Sequence, residues 1–177
     1  MNAWGRPEAK EFAPYYKTYI DQCSGDDVFA ALEGAERERS KITRLITDER
    51  ALFSYGPGKW RLVDVLQHLI DCERVFAYRA MRIARGDGTP LPGFEENAYA
   101  EIASGTTRRL NDVVEEMGLL RRSTVALFKG LAPKDAIRIG TASGDPFSVR
   151  ALGWAIAGHE LHHVRIINER YLDHGNT

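Results

Sequence analysis

Four stretches of the chain repeat apolar residues at helical spacing, and a link of about twenty residues, Asp87 to Thr106, separates the second from the third. Neighbouring antiparallel helices need only short connections, so a link of that length implies a crossover along the molecule. The fold expected is all-α, a four-helix bundle whose helix order is atypical.

The first stretch, about Asp27 to Leu52, sets Phe29, Leu32, Ala35, Ile42, Leu45 and Ile46 on one side, behind an Asp26-Asp27 pair placed to cap its positive end. Gly56, Pro57 and Gly58 stop it. The second, about Arg61 to Arg85, carries Leu62, Val65, Leu66, Leu69, Cys72, Phe76, Ala80 and Ile83 and ends at Gly86-Asp87-Gly88. The third, about Thr107 to Lys129, carries Leu110, Val113, Val114, Met117, Leu120, Leu127 and Phe128, and closes at Gly130 and Pro133. The fourth starts at Ser148, a side chain suited to capping, and continues to about Tyr171. Ahead of it, weak alternation around Ser143-Gly144-Asp145 predicts a small hairpin. A length of 177 residues, 44% of them hydrophobic, suits one domain, 1–177, with flexible ends at 1–11 and 173–177.

Charge excludes one class of partner. Twenty-four Lys+Arg against 25 Asp+Glu leave no basic block for a phosphate backbone, so nucleic acid is not expected. The first residues lack the apolar segment of a signal peptide, and no run approaches the roughly 20 apolar residues that span a bilayer. A cytoplasmic protein that does not bind membrane is expected. Cys23 and Cys72 form no disulfide framework and no C-x-x-C pair.

The chemistry concentrates in Gly158-His159-Glu160-Leu161-His162-His163, which holds three of five histidines. His159 and His163, four apart, project from one helical face in a row with Leu152, Ile156 and Ile166, where apolar residues would otherwise meet the core. Burying two imidazoles without partners is costly, which favours a shared ligand. His68 borders the apolar stripe of the second helix and can face the same interior. Three neutral imidazoles would hold an ion and leave positions open for water or substrate. His162 points about 100° away from His163 and should stand outside that set, and His174 should be solvated in the tail. Cys72, one turn after His68, reads as a packing residue; as a thiolate ligand it would close the site.

The same residues spell H-E-x-x-H, the zinc-protease motif in which the glutamate is general base. Its metzincin extension fails, because positions 166 and 169 are Ile166 and Glu169. Too little chain follows His163 to supply a glutamate ligand from a later helix, so a protease is not expected.

With these features in place, PGKWRLVDVLQHLIDCERVFAYRAMRIARGD at 57–87, LPGFEENAYA at 91–100 and SVRALGWAIAGHELHHVRIINERYL at 148–172 carry a resemblance to the DinB/YfiT-like family of metalloenzymes, in its DinB-like branch. It spans Phe12 to Leu172. The resemblance implies up-down-down-up connectivity and a divalent metal held by three histidines, which map onto His68, His159 and His163. The chain departs from the family at Arg61, where a serine is frequent, and at Cys72, where a hydroxyl residue is frequent.

An ion with three neutral ligands keeps its charge, and so can activate water or a thiol. Relatives in the family include hydrolase-like members and thiol-dependent S-transferases and isomerases. By that analogy the chain is expected to be a metal-dependent transferase using a low-molecular-weight thiol, with a hydrolase as the alternative. The competing class is a non-catalytic metal-binding or interaction protein, and a homodimer is expected. Zn or Ni suits the site best, with Fe, Mn or Cu also compatible. Asp71 and Glu160 are candidates to orient an imidazole or relay a proton, although Glu160 also reads as a surface carboxylate. Phe94 to Tyr99 in the crossover either line the pocket or cap the core with their aromatics.

Overall fold

The computed structural model describes residues 3–104 and 108–172. Its long helices are α1 (Val28–Thr43), α2 (Leu62–Ala84), α4 (Leu110–Lys129) and α5 (Val149–Ile167), with a shorter α3 (Glu96–Ser104) inside the crossover. A hairpin of β1 (Ile139–Ala142) and β2 (Asp145–Ser148) precedes α5.

The helix starts follow from local hydrogen bonding. Asp27 caps α1, its carboxylate accepting from the backbone N–H groups of Phe29 and Ala30 at 3.0 Å. At α2 the cap comes from inside, where the Asp64 carboxylate accepts from the Arg61 N–H at 3.1 Å and pairs with the Arg61 guanidinium. Ser148 caps α5 through Ala151 N–H at 3.0 Å.

The first helix is shorter than its periodicity predicts. It ends at Thr43, and Thr47 caps a separate turn, Asp48–Ala51, by accepting from Arg50 N–H at 3.1 Å. Leu45, assigned to the buried stripe, is 67% exposed at this break. A hydroxyl able to start a new turn outcompetes continuation of the helix.

Helix α5 packs most extensively, against α1 and α2; α2 also packs on α4, which touches α1 less. Around the bundle the order is α1, α5, α2, α4, with α1 diagonal to α2. The crossover carries the chain back along the bundle, so α4 follows α2 in the same direction, and the connectivity is up-down-down-up. From Val149 to Glu160 every residue of α5 is buried, which identifies it as the central helix.

The hairpin forms where the alternation places it, with Ser143 (φ 55°) and Gly144 (φ 87°) supplying the two left-handed residues of its turn. Leu91 N–H donates to Thr141 O and Ser143 N–H to Leu91 O, tying the crossover to the hairpin.

Within residues 3–11, Trp4, Gly5 and Glu11 pack against the bundle, while Arg6, Glu8, Ala9 and Lys10 are exposed. The Trp154 indole N–H donates to Gly5 O at 3.0 Å, Trp4 meets Phe29 with ring centroids 5.4 Å apart, and Glu11 is buried against Ser148 and Arg150. Buried polar groups on α5 require partners, and the N-terminal segment provides them. The expectations placed on residues 1–2, Thr106, Thr107, His174 and the rest of 173–177 lie outside the described residues. Among the described residues no helix is long and apolar enough to cross a membrane.

Candidate metal centre

The buried core falls into two clusters that meet at the histidines. On α2, Val65, Leu66 and Leu69 belong to one cluster and Cys72 and Phe76 to the other; on α5, Val164 and Ile167 belong to the first and Ile156 to the second. Between them stand His68, 8% exposed, and His159, 6% exposed, with His163 half-buried beside them.

The Nε2 atoms of His68 and His163 each lie 3.2 Å from Nε2 of His159. The His68 and His163 ring centroids are 5.0 Å apart. Donors bound at about 2.0–2.1 Å around a tetrahedral ion stand about 3.3 Å from one another, so each of the two short separations suits a pair of ligands on one ion. One lone pair per Nε2 also makes the cluster awkward without a cation, since a single His159 nitrogen cannot serve two neighbours equally well through one proton.

Burial is the main cause of depressed basicity here. It lowers His68 to about 4 and His163 to about 3, the latter aided by the neighbouring imidazoles, and carries His159 well below the ordinary value. All three are therefore neutral at pH 7, the form that ligates a metal. Nδ1 of His163 is buried with no hydrogen-bond partner, a polar atom that the protein interior alone leaves unsatisfied.

Cys72 is closer to this group than a bare packing role requires. Its Sγ lies 3.6 Å from both ring nitrogens of His68, and donor atoms of His68, Cys72 and His159 all fall within 4.8 Å of one another. Burial pushes its thiol up to about 12, which keeps it protonated in the absence of a cation.

The centre forms the floor of a cavity of about 400 Å³. Tyr15, Tyr16, Tyr19, Trp60, Phe76 and Phe94 supply its aromatic walls, and Glu96, Asn97 and Ser143 its polar ones. Gly158 explains how the tyrosine segment reaches the site. A Cβ at that position would lie 2.1 Å from the Tyr19 carbonyl oxygen, so only glycine lets this backbone rest against α5. The Tyr19 ring then meets the His159 ring edge-on at 5.2 Å.

His162 lines the cavity but points off the cluster, its Nδ1 lying 3.3 Å from Gln22 Nε2. Asp71 does not touch the imidazoles: its carboxylate accepts from Gln67 Nε2 at 3.0 Å and faces Arg74, on the side where Gln67 and Arg74 meet Arg108 and Glu116. Glu160 is not a surface carboxylate. It is 3% exposed and accepts from Arg39 Nε at 2.6 Å, with Arg121 Nη1 at 2.8 Å. Arg121 in turn holds Glu73 through two bonds of 2.8 and 3.0 Å. Arg39, Glu73, Arg121 and Glu160 come one from each main helix, and they fix the turn of α5 that carries His159 rather than orient an imidazole.

Of the crossover aromatics, Phe94 lines the cavity and packs against the core, whereas Tyr99 is 49% exposed and meets Phe94 with its ring tilted by 50°. The sequence reading placed Glu96 in a segment able to line the pocket, but missed the three tyrosines, Trp60 and Ser143. Only the run Pro14-Tyr15-Tyr16 with Tyr19, rich in aromatics ahead of the first long helix, offered a signal.

A family model described as the DinB superfamily matches residues 31–167, a span containing all the candidate ligands. Among solved structures, YfiT from Bacillus subtilis aligns over 100% of both chains with a TM-score of 0.74 at 16% identity. YfiT is described as a probable metal-dependent hydrolase with an unusual four-helix bundle topology. No curated protein matches the chain.

Proposed function

This chain belongs to the DinB superfamily, and on that premise we propose that it is a metal-dependent enzyme of small-molecule chemistry, with His68, His159 and His163 holding one divalent ion. The observation that carries the reading is the pair of 3.2 Å Nε2 separations at the floor of an open cavity. When bound, such an ion supplies positive charge that lowers the pKa of a thiol or a water beside it. Zn and Ni suit three imidazoles best, and Cys72 is a neighbour rather than a fourth ligand in this reading.

The substrate we assign first is a low-molecular-weight thiol. Aromatic walls from Tyr16, Trp60, Phe76 and Phe94 favour contact with sulfur and carbon. Glu96, a carboxylate lining the cavity, can take the thiol proton. The sulfur then bonds to an electrophilic carbon, and the displaced group leaves with its electron pair.

Glu96 also supports a second reading, hydrolysis, in which it takes a proton from water; the description of YfiT as a probable metal-dependent hydrolase agrees with it. The test is to load the protein with zinc or nickel and screen thiols with electrophiles, and esters without thiol. Turnover that needs thiol and is lost in His159→Ala but kept in His162→Ala supports the first reading. Ester cleavage without thiol moves the assignment to the second. Stoichiometric metal without turnover of either class leaves a metal-binding protein, and metal that survives loss of two of the three histidines sinks the site itself.

A further inference from the structure

Four arginines of the described residues are buried, and three of them are ion-paired with buried glutamates: Arg39 with Glu160, Arg121 with Glu73 and Glu160, and Arg150 with Glu11. Arg79 is the exception. It is 2% exposed, its Nη2 donates to Pro92 O at 2.7 Å and to Ser143 Oγ at 2.9 Å, and its Nη1 has no hydrogen-bond partner. Burying a guanidinium without a counter-charge costs several kcal/mol by general estimates, so an unpaired one is a feature to be explained.

Its surroundings give the explanation. Arg79 lies behind one stretch of the cavity wall: Ser143 accepts from it, Phe94 has its ring centroid 5.8 Å from the guanidinium carbon, and Tyr16 is close enough to feel its charge. Ser143, Phe94 and Tyr16 all line the cavity above the histidines. A serine oxygen that accepts from a guanidinium keeps its own proton free to donate, and the bond polarises that proton. Ser143 also holds a left-handed backbone at φ 55°, unusual for a residue with a side chain, and this sets its hydroxyl at the tip of the hairpin.

We propose that this wall is an anion subsite: a carboxylate on the substrate accepts the Ser143 hydroxyl, and Arg79 supplies the positive charge behind it. Arg79 is a positioning residue, because it acts through Ser143 without touching the ligand. The inference rests on the cavity being the substrate pocket, and it narrows the substrate to a small molecule bearing a carboxylate as well as its reactive group.

Phenylacetate and phenylacetamide test this, being alike in shape and different in charge. Binding to the zinc-loaded protein is followed by tryptophan fluorescence and by calorimetry at low salt, and repeated after chelation. The wild type is expected to prefer phenylacetate by about tenfold or more, in the range of a hydrogen bond to a charged group. Arg79→Met should abolish the preference, Arg79→Lys should keep part of it, and Ser143→Ala, at an exposed position, should lose most of it. Metal content should be the same in all four proteins. Absence of any preference in the wild type overturns the subsite, as does a preference untouched by both Arg79→Met and Ser143→Ala. If that residual preference disappears on chelation, the anion sits on the ion, and the metal-dependent reading stands while the subsite falls.

Discussion

The carboxylate of Glu160 accepts a hydrogen bond of 2.6 Å from Arg39 Nε in the interior of the bundle, one residue along α5 from His159. A candidate ligand histidine is thus anchored by an ion pair pointing the other way around its helix.

Removing Glu160 takes from buried Arg39 its closest carboxylate and from buried Arg121 one of its two. Glu160→Ala is expected to lower stability by about 3–5 kcal/mol, the usual cost of breaking a buried pair from one side. Urea denaturation measures it. A loss below 1 kcal/mol would mean that Glu36 and Glu73 suffice for the two arginines, and the anchoring role would be wrong.

Metal should stabilise the fold, since a site assembled from α2 and α5 exists only in the native state. Saturating zinc or nickel at 100 times its Kd is expected to add about 2.7 kcal/mol. A chelator should reverse the gain, and His159→Ala should remove it, while Cys72→Ser should keep one ion per chain by elemental analysis. A cobalt-loaded protein whose thiolate absorption vanishes in Cys72→Ser would instead make the cysteine a ligand.

Stability should fall in acid through Glu11. Burial alone would raise its pKa, but hydrogen bonds from Arg150 and Ser148 outweigh it and hold the carboxyl below the ordinary value. Its contribution is therefore complete above the unfolded pKa of about 4.3 and is lost as pH drops through the lower folded value. Glu11→Gln should cost about 3 kcal/mol at pH 7 and progressively less below pH 4. Equal losses at pH 7 and pH 3 in chemical denaturation would show that the charge is not what matters.

Gly158→Ala places a methyl 2.1 Å from the Tyr19 carbonyl oxygen, a backbone atom that cannot swing aside. A loss of about 1–3 kcal/mol is expected from the forced shift, together with weaker binding of any aromatic probe as the tyrosine wall moves. Unchanged probe affinity would separate Tyr19 from the binding surface.

Much of the bundle was legible because it depends on local periodicity. The stripes of Val65, Leu66 and Leu69 on α2 and of Leu152 and Ile156 on α5 identify the helices, and imidazoles at 159 and 163 in that stripe mark an inward-facing site. The long link at 87–106 announced the crossover, but not the nine residues of α3 within it, which are too few to show a clear period. Glu160 was misjudged for a different reason. Its burial is decided by Arg39, Glu73 and Arg121, far apart in sequence, and no local pattern reports such a meeting. The tyrosines before α1 escaped likewise, since what brings Tyr19 to His159 is the missing side chain of Gly158 on another helix.

The four charges shared by α1, α2, α4 and α5 carry a lesson for redesign. Changing any one of them removes a counter-charge from its partners, so substitutions there are coupled. Grafting His68, His159 and His163 onto another bundle would copy the proposed ligands and omit what indexes their helices. A faithful transplant has to move seven residues, not three.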